Sequence, residues 1–145
     1  GQTKEINVDL ILWLGGVAPW PQLWSTNEFG QILEKPHDND SALPNIWAAG
    51  DNSRFAQGLN SFDAQAAVRK GYVVARNIHH SLVGKPLESY DYQQMGFFVS
   101  LGPWDGVGWM LIPLNIWQGL PALAIKEAIE AQFPLMLGGL DTYVD

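Results

Sequence analysis

Residues Pro44–Asn77 read PNIWAAGDNSRFAQGLNSFDAQAAVRKGYVVARN, and the fold class turns on how that stretch is read. A short apolar run, Ile46 to Ala49, stops at Gly50-Asp51, crosses a polar loop and enters a segment whose apolar residues recur at helical spacing. The order is strand, acidic turn, loop, helix. In an open α/β sheet, ligands lie beyond the carboxyl ends of the strands, which places Asp51 where it could touch one. Asp and Gly also favour plain turns for conformational reasons, so the residues by themselves leave both readings open.

The helix is expected to begin near Ser61, an N-cap residue type, with Asp63 in its first turn, where the helix dipole favours negative charge. Ala64, Ala67, Val68, Gly71, Val74, Ala75 and Ile78 follow the i, i+3, i+4, i+7 pattern and are expected to form the buried stripe, with Gln65, Arg69, Lys70 and Arg76 off it. The helix should fray through His79 to Val83, and Gly84 and Pro86 supply the stop. The unpaired N–H groups at its start can stabilise an anion in front of them.

Working outward, Val8 to Leu14 (VDLILWL) suits a strand buried on both faces of a parallel sheet and ended by Gly15-Gly16. A parallel strand needs neighbours reached by crossovers, so the chain is expected to be part of something larger. The opening GQTKEINVD is polar, and no signal peptide is expected there. Trp20 to Leu43 reads as a connection with a short strand at QILE. Its His37 is expected to face solvent. His79 and His80 are adjacent on a helix and point to different sides, so no metal site is proposed.

Beyond Tyr90, Phe97 to Leu101 and Gly108 to Leu114 flank a Gly-Pro-Trp-Asp-Gly turn and predict a hairpin, with Asp105 in the turn. Val107 to Ile125 is largely apolar, but Pro113, Asn115, Gln118, Gly119 and Pro121 count against a membrane span. A strand, a turn and a helix from about Pro121 to Gln132 fit better. Leu123, Ala124, Ala128 and Ala131 are expected near one face, and Glu127 and Glu130 off it. The tail FPLMLGGLDTYVD, with Trp109, Trp117 and Phe133, could dock on a membrane face or dimerise.

Composition narrows the function classes. With 145 residues, 47% hydrophobic and 16% charged, the chain can build a real core. A formal charge of -7 argues against a nucleic-acid surface, which needs clustered basic residues. The sequence has no cysteine, which removes disulfides, thiolate metal sites and a redox-active cysteine pair within this chain.

IWAAGDN, then AQAAVRKGYVVARNI and GKPLESYDY, together with DLILWLGGVAP and the SLGPWDGVG string, resemble the carboxyl-terminal portion of flavoproteins with two dinucleotide-binding domains. Within that group the chain most resembles the type II NADH:quinone oxidoreductases. The resemblance implies an α/β fold: the carboxyl-terminal part of a Rossmann-like flavoprotein plus a small α+β carboxyl-terminal region. Residues 1–20 would be the closing strand of the NADH-binding domain and 21–44 a connection. Residues 45–93 would be the carboxyl-terminal part of the FAD-binding domain, and 94–145 a hairpin and helix interface region. The cofactor implied is FAD, with NADH as substrate and a quinone as acceptor.

Carried over residue by residue, Asp51 would contact the flavin's ribityl region, Gly50 beside it would belong to the cofactor-binding residues, and Ala64, Gln65 and Ala66 would lie by the flavin and the quinone pocket. Gly15 and Gly16 would lie where the backbone passes the nicotinamide. The family's quinone motif is Ala-Gln, three residues, then Gln. Here Gln65 matches the first glutamine and Arg69 replaces the second; with Lys126, which by the resemblance occupies the place of a family lysine near the flavin and quinone region, they are the acceptor candidates. The Gly-rich βαβ motif for the other half of the cofactor is absent from the sequence, so an amino-terminal part carrying it is the expected partner. Homodimerisation and peripheral contact with the inner face of the cell membrane are further expectations for an otherwise cytoplasmic protein. The alternatives are another NAD(P)H-dependent flavin reductase with a protein or soluble acceptor, and a non-catalytic binding or assembly module of flavoprotein fold.

Overall fold

The computed structural model describes residues 9–10 and 23–140. The strand expected at Val8–Leu14 and the glycines Gly15 and Gly16 lie outside the described residues, apart from Asp9 and Leu10. The chain divides into two compact units, the first ending at Asp91 and the second beginning at Tyr92.

The first unit contains β1 (Trp24–Ser25), β2 (Gln31–Leu33), β3 (Ala42–Trp47), β4 (Ser53–Arg54) and α1 (Ala64–Val83). Asn27 turns the chain between β1 and β2, because its side-chain oxygen accepts from the N–H groups of Phe29 and Gln31, both at 3.0 Å. β2 pairs antiparallel with β3, and β1 pairs parallel with β4. The strand at QILE is therefore present. The strand expected before Gly50 is present in β3, which ends at Trp47 and is paired antiparallel, with Ile46 exposed.

Four expectations for α1 need correction. Its N-cap is Asp63, not Ser61: Asp63 Oδ1 accepts the Ala66 N–H at 2.8 Å, and the Ser61 hydroxyl donates to Asp63 Oδ2. The buried face is Ala66, Lys70, Val73, Val74 and Asn77, so only Val74 of the predicted stripe is fully buried. Ala64, Ala75 and Ile78 are exposed. Lys70, expected off the core, is 1% exposed. The helix is also regular to Val83 instead of fraying from His79, and ends at Gly84 in the left-handed conformation. Burial follows the face that satisfies polar side chains as well as apolar ones.

Asn77, 0% exposed, holds that face in place. It donates to the carbonyls of Phe29 (2.9 Å) and Glu88 (2.8 Å) and accepts from the Glu88 N–H (2.8 Å). Phe55 and Tyr90 pack with ring centroids 4.8 Å apart, and Val73, Val74, Ile32 and Leu33 complete the apolar core.

The second unit is an antiparallel sheet, β5 (Gly96–Gly102), β6 (Asp105–Met110) and β7 (Ile112–Gln118), followed by α2 (Leu120–Leu137). The predicted hairpin is present, with Pro103-Trp104 at its turn. Its second arm breaks at Leu111, where φ is 68°, so the apolar run to Leu114 becomes two strands instead of one. A Cβ on Gly108 would lie 2.3 Å from the Phe98 ring and 2.4 Å from the Phe97 carbonyl oxygen, so the sheet closes there only around glycine.

α2 runs five residues past the predicted end at Gln132 and carries Pro134 within it. Its predicted face is also revised. Ala122 is its buried residue, while Ala124, Ala128 and Ala131 are exposed.

Candidate functional site

The candidate site is built where the chain leaves β3 and enters α1. After Trp47, Ala48 is buried and donates its N–H to the Gly30 carbonyl at 3.0 Å. Ala49 is extended, and Gly50 then turns with φ 72° into a short 3-10 turn, Gly50–Asn52. Only glycine takes that conformation cheaply, and no atom of the described residues beyond its chain neighbours lies within 4 Å of where a Cβ on Gly50 would stand. Asp51 is exposed at the apex of this turn.

The turn is closed from below. Ser53 is buried, its N–H and its hydroxyl both donate to the Gly50 carbonyl, the hydroxyl at 2.8 Å. The Lys70 ammonium donates to the Ser53 carbonyl at 2.8 Å and reaches the Gly50 carbonyl at 3.4 Å. It also stands 5.7 Å from the centroid of the Phe55 ring. Burial pushes the Lys70 ammonium below its ordinary pKa of 10.5, and the charges of Asp51 and Asp63 pull it partly back.

The loop from Phe55 to Asn60 leads from the turn to the helix. Asn60 closes it by accepting from the Phe55 N–H and donating to the Phe55 carbonyl, both at 2.9 Å. The Tyr90 hydroxyl holds the Leu59 carbonyl at 2.9 Å. The loop therefore delivers Asp63 to the N-cap of α1 with defined geometry.

Of the residues singled out from sequence, Gly50 and Asp51 form the turn, and Ala64, Gln65 and Ala66 form the first turn of α1, which packs against it. Ala64 is exposed and Ala66 fully buried beneath. Gln65 and Arg69 are half-buried on the same helix. Lys126 belongs to the second unit, where its ammonium pairs with Glu130 and lies 3.9 Å from Glu127. The Glu130 hydrogen bond and the two carboxylate charges raise its pKa above 10.5, against a smaller opposing effect of burial. Sequence reasoning missed Lys70. The signal for it was present, since Ala66, Lys70, Val73 and Asn77 are spaced i, i+4, i+7, i+11.

Chemically, the arrangement offers an acidic acceptor on an exposed turn beside the start of a 20-residue helix. Asp63 itself takes the N–H of Ala66, and the first helical turn is where partial positive charge gathers. Such a surface suits a polar group that donates to Asp51 and carries negative charge toward the helix. Among the described residues, no cluster of three or more His, Cys, Asp or Glu could hold a metal ion.

No protein-family model matches the chain. Type II NADH:quinone oxidoreductases of Staphylococcus aureus strains MSSA476 and MW2 are 29% identical to it over 147 residues. The enzyme of the same name from strain NCTC 8325 is equally similar. Each match covers 97% of this chain and 36% of the relative, and the matched stretch is the relatives' carboxyl-terminal part. Across nearly its whole length, the chain is thus similar to the carboxyl-terminal portion of type II NADH:quinone oxidoreductases.

Proposed function

We propose that this chain is the carboxyl-terminal portion of an FAD-dependent NADH dehydrogenase that passes electrons from NADH through flavin to a quinone. The observation that carries the reading is the similarity over 97% of the chain to enzymes named for NADH and quinone. The residues at the site fit a flavin. An exposed carboxylate at Asp51 can accept from ribityl hydroxyls, no described residue fills the space beside Gly50, and the small Ala64 is exposed at the helix start. Bound flavin supplies hydride and electron transfer between the two substrates. The chain's own residues bind and orient: Asp51 holds the ribityl chain, the start of α1 favours negative charge at the flavin's pyrimidine end, and Gln65 donates toward the acceptor.

The missing share of the site belongs to an amino-terminal part with the Gly-rich FAD and NADH motifs. A second apolar stripe on α1, with Ile78 and Leu82 exposed, supports its packing against further polypeptide. Leu120, Phe133, Leu135 and Leu137 are exposed along α2, which supports a peripheral membrane contact or a homodimer interface in the second unit. No helix among the described residues is long and apolar enough to cross a membrane. The proposed location is cytoplasmic or peripheral on the inner membrane face.

Arg69 favours a second reading, an NAD(P)H-dependent flavin reductase with a protein or soluble acceptor, because it stands where the family's second quinone-motif glutamine is expected. Anaerobic reduction by NADH, followed by addition of a short-chain quinone or a soluble one-electron acceptor, decides between the readings. The protein should be isolated from its native source at whatever length it exists there. Rapid reoxidation by the quinone supports the first reading, reoxidation only by the soluble acceptor supports the second, and no reduction by NADH leaves the non-catalytic module.

A further inference from the structure

Lys70 is a fully buried cation that the proposed chemistry does not use. An ammonium is costly to bury, and it is found buried only where hydrogen bonds and opposite charge compensate it. Here the compensation centres on the Gly50–Ser53 turn. Its hydrogen bonds run to the carbonyls at the two ends of the Gly50–Ser53 turn, and the nearby carboxylates that act on it are Asp51, in that turn, and Asp63, the cap of the helix Lys70 belongs to. Lys70 thus ties the helix to the turn through its own hydrogen bonds.

We propose that Lys70 is a positioning residue that latches the Gly50–Ser53 turn to α1 and so fixes where Asp51 presents its carboxylate to the flavin. The inference rests on the functional reading above. The geometry supports it in three ways. Among the described residues beyond its chain neighbours, nothing lies within 4 Å of where a Cβ on Gly50 would stand, so none of them packs on the turn there. Its inner side is held by Ser53 and by Lys70, and of the two only Lys70 reaches across from the helix. The Phe55 ring, 5.7 Å from the ammonium, adds a cation–π contact at the same place.

A latch and an ordinary structural residue respond differently to Lys70→Met. Lys70→Met removes the cost of burying the ammonium but leaves the Ser53 carbonyl without that donor, and the two effects oppose each other. The thermal midpoint should therefore stay within about 4 °C of wild type. Amide hydrogen exchange at residues 50–53 should nevertheless quicken, by about tenfold or more, with α1 itself unchanged. In the flavin-containing protein from the native source, the FAD dissociation constant should rise about tenfold. Ser53→Ala, which removes one hydroxyl from Gly50 and leaves Lys70 in place, should move the same readouts in the same direction by less.

A fall in the midpoint with faster exchange throughout the first unit would show a merely structural role and overturn the inference. So would wild-type exchange at residues 50–53, or loosened exchange with unchanged FAD affinity. A wild-type protein that takes no FAD overturns the functional reading and the flavin role of Lys70 with it. A wild type that binds FAD, beside a Lys70→Met protein that binds it equally well, overturns the inference alone.

Discussion

The two helices hold their places by opposite means. α1 is fastened by polar groups: Asp63 caps it, Lys70 grips a turn and Asn77 makes three hydrogen bonds to backbone. α2 has no side-chain cap, buries only Ala122 completely and lies on a sheet thinned by Gly106 and Gly108. Directional bonds specify one position for a helix, whereas apolar contact alone tolerates sliding. The helix that carries the candidate site is the one with the directional restraints. The helix with exposed leucines has the features of an interface.

The sharpest way to break this contrast is Asn77→Ala. It removes three hydrogen bonds and leaves buried backbone groups unpaired, so a loss of about 3 kcal/mol is expected from urea unfolding. The matched change in the second unit, Asn115→Ala, removes one bond of 3.1 Å to the Met110 carbonyl and should cost about 1 kcal/mol or less. Equal losses would dissolve the comparison.

Gly108→Ala tests the other side. Its methyl would collide with the Phe97 carbonyl oxygen and the Phe98 ring, and about 2 kcal/mol should be lost in the same measurement, with the β5–β6 amides exchanging faster. A smaller effect is expected of Asp63→Ala. Losing an N-cap carboxylate costs about 1 kcal/mol, and helical signal in circular dichroism should fall at a lower temperature.

The two lysines give the finest test, because their pKa values move in opposite directions. The folded state holds the Lys70 proton less tightly than the unfolded state does. Stability, relative to Lys70→Met, should therefore rise with pH between the lowered folded value and 10.5. Lys126 behaves inversely. Its contribution, relative to Lys126→Met, should be complete below 10.5 and disappear as pH rises through the higher folded value. Parallel pH profiles would contradict both assignments.

Much of this architecture is legible in the residues. The Gly50-Asp51 turn, the helix stop at Gly84 and the hairpin around Pro103-Trp104 follow from turn chemistry that needs no tertiary context. The rotation of α1 does not. Its sequence carries two candidate faces, and hydrophobicity favours the one with Ala64, Gly71 and Ile78. The face buried within this unit is chosen by where Lys70 and Asn77 find carbonyls, and those carbonyls come from residues up to 48 positions away. The N-cap was similarly ambiguous, since Ser61 and Asp63 are both capping types and only the path of the Phe55–Asn60 loop selects Asp63. The break at Leu111 was hidden because a bulky residue with positive φ has no sequence signature.

The most direct test of the central claim is the visible absorbance spectrum of the protein isolated from its native source, recorded with intact mass before and after anaerobic NADH. The account expects flavin bands that bleach on NADH addition and either a polypeptide larger than the 16.0 kDa of this 145-residue sequence or a partnered second chain. A colourless 16.0 kDa species that neither binds added FAD nor responds to NADH would contradict it.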